Sequence, residues 1–208
     1  MSEPSLPTGA ALSAADLPPL VVLGDPRLAR PCAPVDVTAI PTPEFQRRLA
    51  LLRVGLEHHG ANGIAAPQLG WFERFLLMRD PSGAAGTGSR GGLVYWINPQ
   101  IVQAAPETVW YWEGCLSVPG FKGFIERSAA IAVRGFNEHG EPVSAEFRDW
   151  EAHLFQHEYD HLDGVLFPYR AADPRHVVRA EELARRDTWP PGWPAPGAKD
   201  APIRVIRE

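Results

Sequence analysis

The run Gln156-His157-Glu158-Tyr159-Asp160-His161 places two histidines four residues apart, with a glutamate directly after the first. Side chains four residues apart lie on one face of an α-helix, about 5–6 Å apart at Cβ, so both imidazoles can bind one cation. Glu158 points to the flank of that face, where a carboxylate can accept a proton from metal-bound water without joining the coordination shell. The run predicts a mononuclear metal site with His157 and His161 as ligands and Glu158 as general base.

The helix predicted to carry this run has recognisable ends. Asp149 suits the N-cap, and Gly164 suits the C′ position that follows a helix. Apolar residues lie on more than one side of the helix, namely Trp150, Leu154, Phe155 and Leu162. The pattern therefore predicts a largely buried helix, which would hold its metal ligands rigidly.

The other predicted elements favour an α+β fold. A helix is expected over residues 43 to 59, because Thr42 and Pro43 suit its start and apolar residues recur at helical spacing. Strands are predicted at 75–79, 93–97, 108–112, 130–136 and 143–147, with a hairpin joining the last two, and another helix around 175–186. The order of helix, scattered strands and helix is not that of a parallel βαβ sheet.

The chain is predicted to form a single catalytic domain over residues 20–187. Residues 1–19 are rich in Ser, Pro and Ala and predict a flexible N-terminal tail, and residues 188–208 predict a Pro- and Trp-rich C-terminal tail. Residues 81–92 predict a flexible surface loop. The sequence assigns no role to the loop or to either tail.

Composition narrows the class of protein. Cys32 and Cys115 are the two cysteines of the 208 residues, and the absence of a secretory signal favours a reducing, cytoplasmic setting in which a thiolate can bind metal. No apolar run approaches the roughly 18 residues of a membrane span. The net charge of −5, without a block of basic residues, argues against DNA as a partner.

The third metal ligand has several candidates. The metzincin pattern requires a histidine where this chain has Phe167, so that pattern fails. The gluzincin pattern requires a downstream glutamate, and Glu181 and Glu182 have suitable spacing, although their arginine-rich surroundings are typical of a solvated helix face. His153 is expected to support the site or the core. Cys115, next to Gly114 and just after a predicted strand, can be aimed at the helix.

Three segments together resemble a known family. They are Gly63-Ile64-Ala65-Ala66-Pro67-Gln68, Glu113-Gly114-Cys115-Leu116-Ser117 and Gln156-His157-Glu158-Tyr159-Asp160-His161. In order and spacing they closely resemble the three signature motifs of peptide deformylase, and the resemblance covers about residues 20 to 170. It implies antiparallel sheets packed around the helix that carries the histidines. Two residues depart from the usual family pattern, Ala61 in place of glycine and Lys122 in place of arginine.

The resemblance implies a hydrolase that removes the formyl group from N-formylmethionine at the start of newly synthesised polypeptides. It makes Cys115, His157 and His161 the metal ligands, with ferrous iron as the usual metal and zinc, nickel or cobalt able to substitute. Metal-bound water would attack the formyl carbon, with Glu158 as general acid and base.

The resemblance also implies how the substrate is held. The Gln68 side-chain amide and the Leu116 backbone N–H would donate hydrogen bonds to the oxyanion. Gly63 would lie on an edge that binds the nascent peptide by strand addition, and Ile64 is a candidate wall of the methionine pocket.

Two other functions compete with deformylation. One is a His-Glu-x-x-His peptidase that cuts internal peptide bonds, and the other is a deformylase-like protein that binds peptide termini without turnover. A transient ribosome contact through residues 175–186 is a further hypothesis, although an ordinary surface helix is favoured there.

Overall fold

Two antiparallel sheets form the framework of the protein. The structure, a computed structural model, describes residues 12–80, 83 and 92–203. The larger sheet contains, in spatial order, β1 (Gly63–Ala65), β2 (Phe75–Asp80), β3 (Gly92–Ala104), β6 (Ala130–Phe136) and β7 (Pro142–Arg148), and the smaller contains β4 (Thr108–Glu113), β5 (Phe121–Ser128) and β8 (Val177–Arg179). All paired strands are antiparallel, which confirms the predicted α+β class.

Two long helices pack against the sheets, α1 (Pro43–His58) and α2 (Asp149–Leu162), and two short helices follow, α3 (Phe167–Arg170) and α4 (Ala180–Leu183). Thr42 caps α1 as predicted, because its Oγ1 accepts a hydrogen bond from Phe45 N at 3.3 Å. The prediction for the start of α2 was wrong by one residue. Arg148 is the N-cap, since the chain leaves β7 in an extended conformation through that residue, and Asp149 already begins the helix.

Gly164 follows α2 at the C′ position, as predicted. Its φ is +75°, a left-handed conformation that side chains disfavour. A Cβ atom on this residue would also lie 2.6 Å from the backbone nitrogen of Arg30. The turn after α2 therefore requires glycine both for its backbone angle and for the close approach of a neighbouring segment.

Helix α2 lies between the two sheets. Along β2, Phe75 and Leu77 pack in the cluster that contains the apolar face of α1, whereas Leu76 and Met78 pack in the cluster that contains Leu154, Phe155 and Leu162 of α2. Because successive side chains of a strand point to opposite faces, α1 and α2 cover opposite faces of the larger sheet. The smaller sheet contacts α2 from its other side through β4 and β5. A helix enclosed in this way can present polar side chains at fixed positions.

The helix predicted around residues 175–186 is not continuous. The chain instead forms a 3-10 turn at Pro174–His176, then β8, and only then the short α4. Val177 and Val178 pair with Gly123 and Lys122 of β5. Two β-branched residues beside an unpaired strand edge favour strand pairing. This tertiary contact outweighs the tendency to form one continuous helix over residues 175–186.

The segment after α4 packs on the smaller sheet. Trp112 Nε1 donates a hydrogen bond to Ala198 O at 2.7 Å, and Trp112 forms a buried cluster with Phe124, Leu183 and Ala198. Residues 1–11 and 204–208 of the two predicted tails, and most of the predicted loop at 81–92, lie outside the described residues. Within the described ranges, no helix has the length and apolar character needed to cross a membrane.

Candidate metal centre

Two separate elements bring three potential metal ligands together. Cys115 follows the end of β4, and His157 and His161 lie one turn apart on α2. Their donor atoms all lie within 4.8 Å of one another, and Cys115 Sγ is 3.1 Å from His161 Nε2. All three residues are buried. The fold therefore unites the cysteine motif with the helical histidines, as the sequence motifs predicted.

The donor set fits a divalent transition metal. One thiolate and two imidazoles are typical ligands of zinc and of related first-row metals, and a three-residue set leaves coordination positions for water or substrate. Burial lowers the pKa of His161 well below its usual value, which favours the neutral imidazole that a metal requires.

The other candidate ligands lie elsewhere. Glu181 and Glu182 are exposed, and they pair with Arg179 at 2.7 Å and Arg185 at 2.9 Å. His153 is fully buried, with its Nε2 3.6 Å from Glu113 Oε1. The gluzincin-type arrangement is thus absent among the described residues, and His153 supports the core beside the site.

Glu113 orients His157, the first of the two candidate histidine ligands. It lies at the end of β4, and its Oε2 makes a short contact with Nδ1 of His157. Burial opposes ionisation of Glu113, but the positive charges of Arg127, His157 and His153 together outweigh it, and the pKa of Glu113 lies well below its usual value. A carboxylate at Nδ1 fixes the imidazole ring and leaves Nε2 for the metal.

Glu113 was not predicted as a functional residue. The signal available was its place two residues before Cys115 in the second motif. That place alone does not show that its carboxylate reaches α2, because the packing of β4 against the helix is a tertiary contact.

Glu158 follows the candidate ligand His157 on α2 and is 1% exposed. Its Oε2 is one of the buried side-chain atoms that have no hydrogen-bond partner within the described part of the chain. Burial raises the pKa of Glu158 to about 7. A carboxyl group with this pKa exchanges protons readily near neutral pH, as a general base that later acts as an acid must do.

The two candidate oxyanion donors both lie next to Cys115. Gln68 is buried in a 3-10 turn at Ala66–Leu69 that follows β1. Its Oε1 accepts a hydrogen bond from Ala65 N at 2.9 Å, which directs Nε2 toward Cys115 Sγ at 3.5 Å. Leu116 is the residue after Cys115, and its side chain packs in the core next to α1.

The candidate substrate-binding residues lie on β1, an edge strand of the larger sheet. Gly63 lies against Glu158, so this edge runs beside the candidate base. The side chain of Ile64 is fully buried in the cluster with α1. An extended peptide at this edge would therefore meet the backbone of Gly63 and Ile64. Lys122 is also buried, with its ammonium against Gly114.

Comparison with known proteins agrees with this geometry. A sequence model of the family described as polypeptide deformylase matches residues 17–176. The chain belongs to the polypeptide deformylase family. It is 36% identical over 159 residues to peptide deformylase 1 of Streptomyces coelicolor, covering 74% of this chain and 72% of that protein. It is 35% identical over 162 residues to peptide deformylase of Thermotoga neapolitana, covering 78% of this chain and 92% of that protein.

Solved deformylase structures have the same fold. The Met-Ala-Ser-bound class I type b peptide deformylase from Acinetobacter baumannii superposes with a TM-score of 0.68 at 29% identity, covering 74% of this chain and 98% of that one. Peptide deformylase from Thermotoga maritima gives a TM-score of 0.66 at 35% identity, covering 76% of this chain and 99% of that one. The expected deformylase fold is confirmed, and like other deformylases the chain is a metal-dependent hydrolase.

Proposed function

We propose that this chain hydrolyses the formyl group from N-formylmethionine at the start of newly synthesised polypeptides, with Cys115, His157 and His161 as its metal ligands. The observation that carries the proposal is the convergence of Cys115, from the end of β4, with the two histidines of α2. An upstream thiolate in place of a downstream histidine or glutamate distinguishes this site from those of His-Glu-x-x-His peptidases. Membership of the deformylase family supports the same reaction.

Glu158 would move the proton. In the hydrolysis, the oxygen of water forms a bond to the formyl carbon, the bond from that carbon to the amine nitrogen breaks, and formate leaves. Glu158 takes a proton from the attacking water and later gives it to the departing nitrogen. Its burial and its place directly after His157 on α2 support this role. A bound divalent metal supplies Lewis-acid activation of the water and of the formyl oxygen.

Gln68 and Leu116 would stabilise the negative charge that develops on the formyl oxygen. The Gln68 Nε2 donor is already fixed, because its Oε1 is held by Ala65 N. A donor fixed before the reaction needs no reorganisation when the charge appears, and one such donor contributes about 10²–10³ in kcat. The Leu116 backbone N–H, on the residue after Cys115, is proposed as the second donor.

The nascent peptide would bind along β1. An edge strand can accept an extended peptide through backbone hydrogen bonds, and this edge passes Glu158. The Acinetobacter baumannii enzyme bound to Met-Ala-Ser supports a peptide ligand of this kind. Gly63 would bind backbone, whereas Ile64 would support the pocket from within the core. A transient ribosome contact through residues 175–186 stays a hypothesis, tested by cosedimentation with ribosomes.

The metal is proposed to be ferrous iron, with zinc, nickel or cobalt able to substitute. The donor set is compatible with all four metals. Metal analysis of protein purified without oxygen tests this choice. Iron at one equivalent supports it, and zinc alone at one equivalent contradicts it.

One assay tests the reaction. Formyl-Met-Ala-Ser is incubated with metal-loaded protein under oxygen-free conditions, and formate and free Met-Ala-Ser are measured. Equal amounts of both products are expected. Cleavage of casein or of unformylated Met-Ala-Ser would instead indicate a peptidase. Metal and peptide binding without formate release would indicate a protein that binds peptide termini without turnover.

A further inference from the structure

A chain of alternating charges connects the protein surface to a metal ligand. It begins at Arg170 in α3, whose Nη2 donates to Asp160 Oδ1 at 2.6 Å and whose Nε donates to Asp160 Oδ2 at 3.1 Å. Arg127 in β5 donates from Nη1 to the same Asp160 Oδ2 at 2.7 Å. Asp160 thus lies between two guanidinium groups, one residue before the metal ligand His161.

The chain continues from Arg127 to the other histidine. Arg127 Nη2 donates to Glu113 Oε1 at 3.1 Å, and Glu113 Oε2 contacts Nδ1 of His157. The side chain of Arg170 is 50% exposed, whereas those of Asp160, Arg127 and Glu113 are at most 6% exposed. Arg170 is therefore the solvent-exposed end of a network that is otherwise buried.

Helix α3 contacts α2 at a second point. The ring of Phe167 stacks on the imidazole of His157, with centroids 6.5 Å apart and planes at 27°. A Cβ on Gly123 of β5 would lie 2.5 Å from the Phe167 ring, so β5 closely confines that ring. Because Phe167 fixes one end of α3, Arg170 at its other end has a defined place beside Asp160.

Charge balance explains what Arg170 does. Two buried carboxylates, Asp160 and Glu113, share the single guanidinium of Arg127, and Arg170 supplies the second positive charge. Without Arg170, Asp160 would compete for Arg127 more strongly. The bonds from Arg127 to Glu113 are longer, at 3.1–3.3 Å, than its bond of 2.7 Å to Asp160. Glu113 is thus the partner that would loosen first.

We propose that Arg170 is a positioning residue for the metal centre. It neutralises Asp160, which lets Arg127 keep Glu113 in place against Nδ1 of His157, and so it fixes the orientation of a ligand that it does not touch. The inference rests on the proposed function, because it assigns His157 to the metal.

The test compares Arg170→Gln with a matched control, Arg175→Gln. Arg175 makes a similar two-point pair with Asp173, at 2.6 and 3.0 Å, on the surface away from the network. Co²⁺ is the probe: its dissociation constant is measured against a competing chelator, and its visible absorption bands report ligand geometry. Loss of a group that directly supports a ligand weakens metal binding or activity about 10–100-fold, so about 3–10-fold is expected for this more distant residue.

The full set of expected results is specific. Arg170→Gln weakens Co²⁺ binding, shifts the absorption bands and lowers kcat for formyl-Met-Ala-Ser without raising KM, whereas Arg175→Gln matches the wild type. Arg170→Lys recovers part of the loss. The double variant Asp160→Asn/Arg170→Gln loses less Co²⁺ affinity than the sum of the losses of the two single variants, because both residues act through one network.

Two results separate this inference from the proposed function. If the wild type binds Co²⁺ and deformylates the peptide, but Arg170→Gln matches Arg175→Gln in affinity, spectrum and kcat, the positioning role is wrong and the proposed function stands. If the wild type itself does not bind Co²⁺ or does not release formate, the proposed function fails, and the inference with it.

Discussion

Glu158 occupies the space that a side chain on Gly63 would need. A Cβ atom on Gly63 would lie 2.5 Å from Glu158 Oε1 and 2.7 Å from its Cγ. Real Cβ atoms do not approach other atoms this closely, and α2 is enclosed between two sheets and cannot easily withdraw. The Glu158 carboxyl of the third motif can therefore hold its position only because the first motif has glycine at position 63.

Gly63→Ala is expected to displace the Glu158 carboxyl and to lower kcat for formyl-Met-Ala-Ser by at least about 10²-fold, since general acid–base catalysis contributes about 10²–10⁴. Metal content should not change, because Gly63 is not one of the three candidate donor residues. The control is Gly55→Ala in α1, whose Cβ would meet only the ends of flexible side chains, at 3.2 Å or more. Equal activity of the two variants would show that Glu158 has room to move.

Glu158→Gln removes the proton acceptor and keeps the size of the side chain. We expect kcat to fall about 10²–10⁴-fold with metal stoichiometry unchanged, because the carboxyl is not one of the three donors. Metal analysis and steady-state kinetics on the same preparation measure both quantities. A variant that keeps its metal and turns over at the wild-type rate would contradict the assignment of Glu158 as general base.

Local spacing was enough to predict two of the three candidate metal donors, His157 and His161, and the family resemblance supplied Cys115. His157 and His161 share a helical face whatever the fold. Cys115 belongs to a motif that directly follows a strand predicted from the sequence. Glu113, Arg127 and Arg170 were not predicted, because their contacts depend on how β4, β5 and α3 pack around α2. Strand β8 has only three residues, too few to show the alternation of a strand. Its residues were therefore predicted as part of a helix, whereas they pair with β5.

The segment after Thr188 illustrates the same limit. Its prolines and glycines indicate that a helix ends there, and nothing in them identifies the surface that the segment covers. Its contact with Trp112 joins residues that are distant in the sequence, and it places a buried cluster where only a tail was expected.

Glu113→Gln is expected to weaken both the fold and the metal site. Removing one partner from a buried ion pair leaves Arg127 undercompensated, at a cost of about 3–5 kcal/mol in the free energy of unfolding. Loss of the carboxylate at Nδ1 of His157 should weaken Co²⁺ binding about 10–100-fold. Urea unfolding and chelator competition measure the two effects. The control, Glu126→Gln, changes an exposed residue of β5 and should leave both within error.

Tyr95 should make stability depend on pH in the alkaline range. Burial raises its pKa to about 12 from a usual value of 10, and its hydroxyl donates to Leu49 O at 3.0 Å. The unfolded chain ionises first, so stability is complete below pH 10 and is lost as the pH rises toward 12. The phenolate absorbance is titrated against pH for the wild type and for Tyr95→Phe. The difference between the two titrations is the ionisation curve of Tyr95. A midpoint at 10 would contradict the shift.

Trp112→Phe tests whether the segment after α4 stabilises the sheet that leads to Cys115. Trp112 is 1% exposed and donates its indole N–H to Ala198 O, so phenylalanine leaves that carbonyl unpaired and opens a small cavity. We expect a loss of about 1–3 kcal/mol in the free energy of unfolding. Trp193→Phe is the matched control, because Trp193 is 37% exposed, and it should change stability by no more than about 0.5 kcal/mol. Equal urea midpoints for both variants would mean that the contact between Trp112 and Ala198 contributes nothing to the fold.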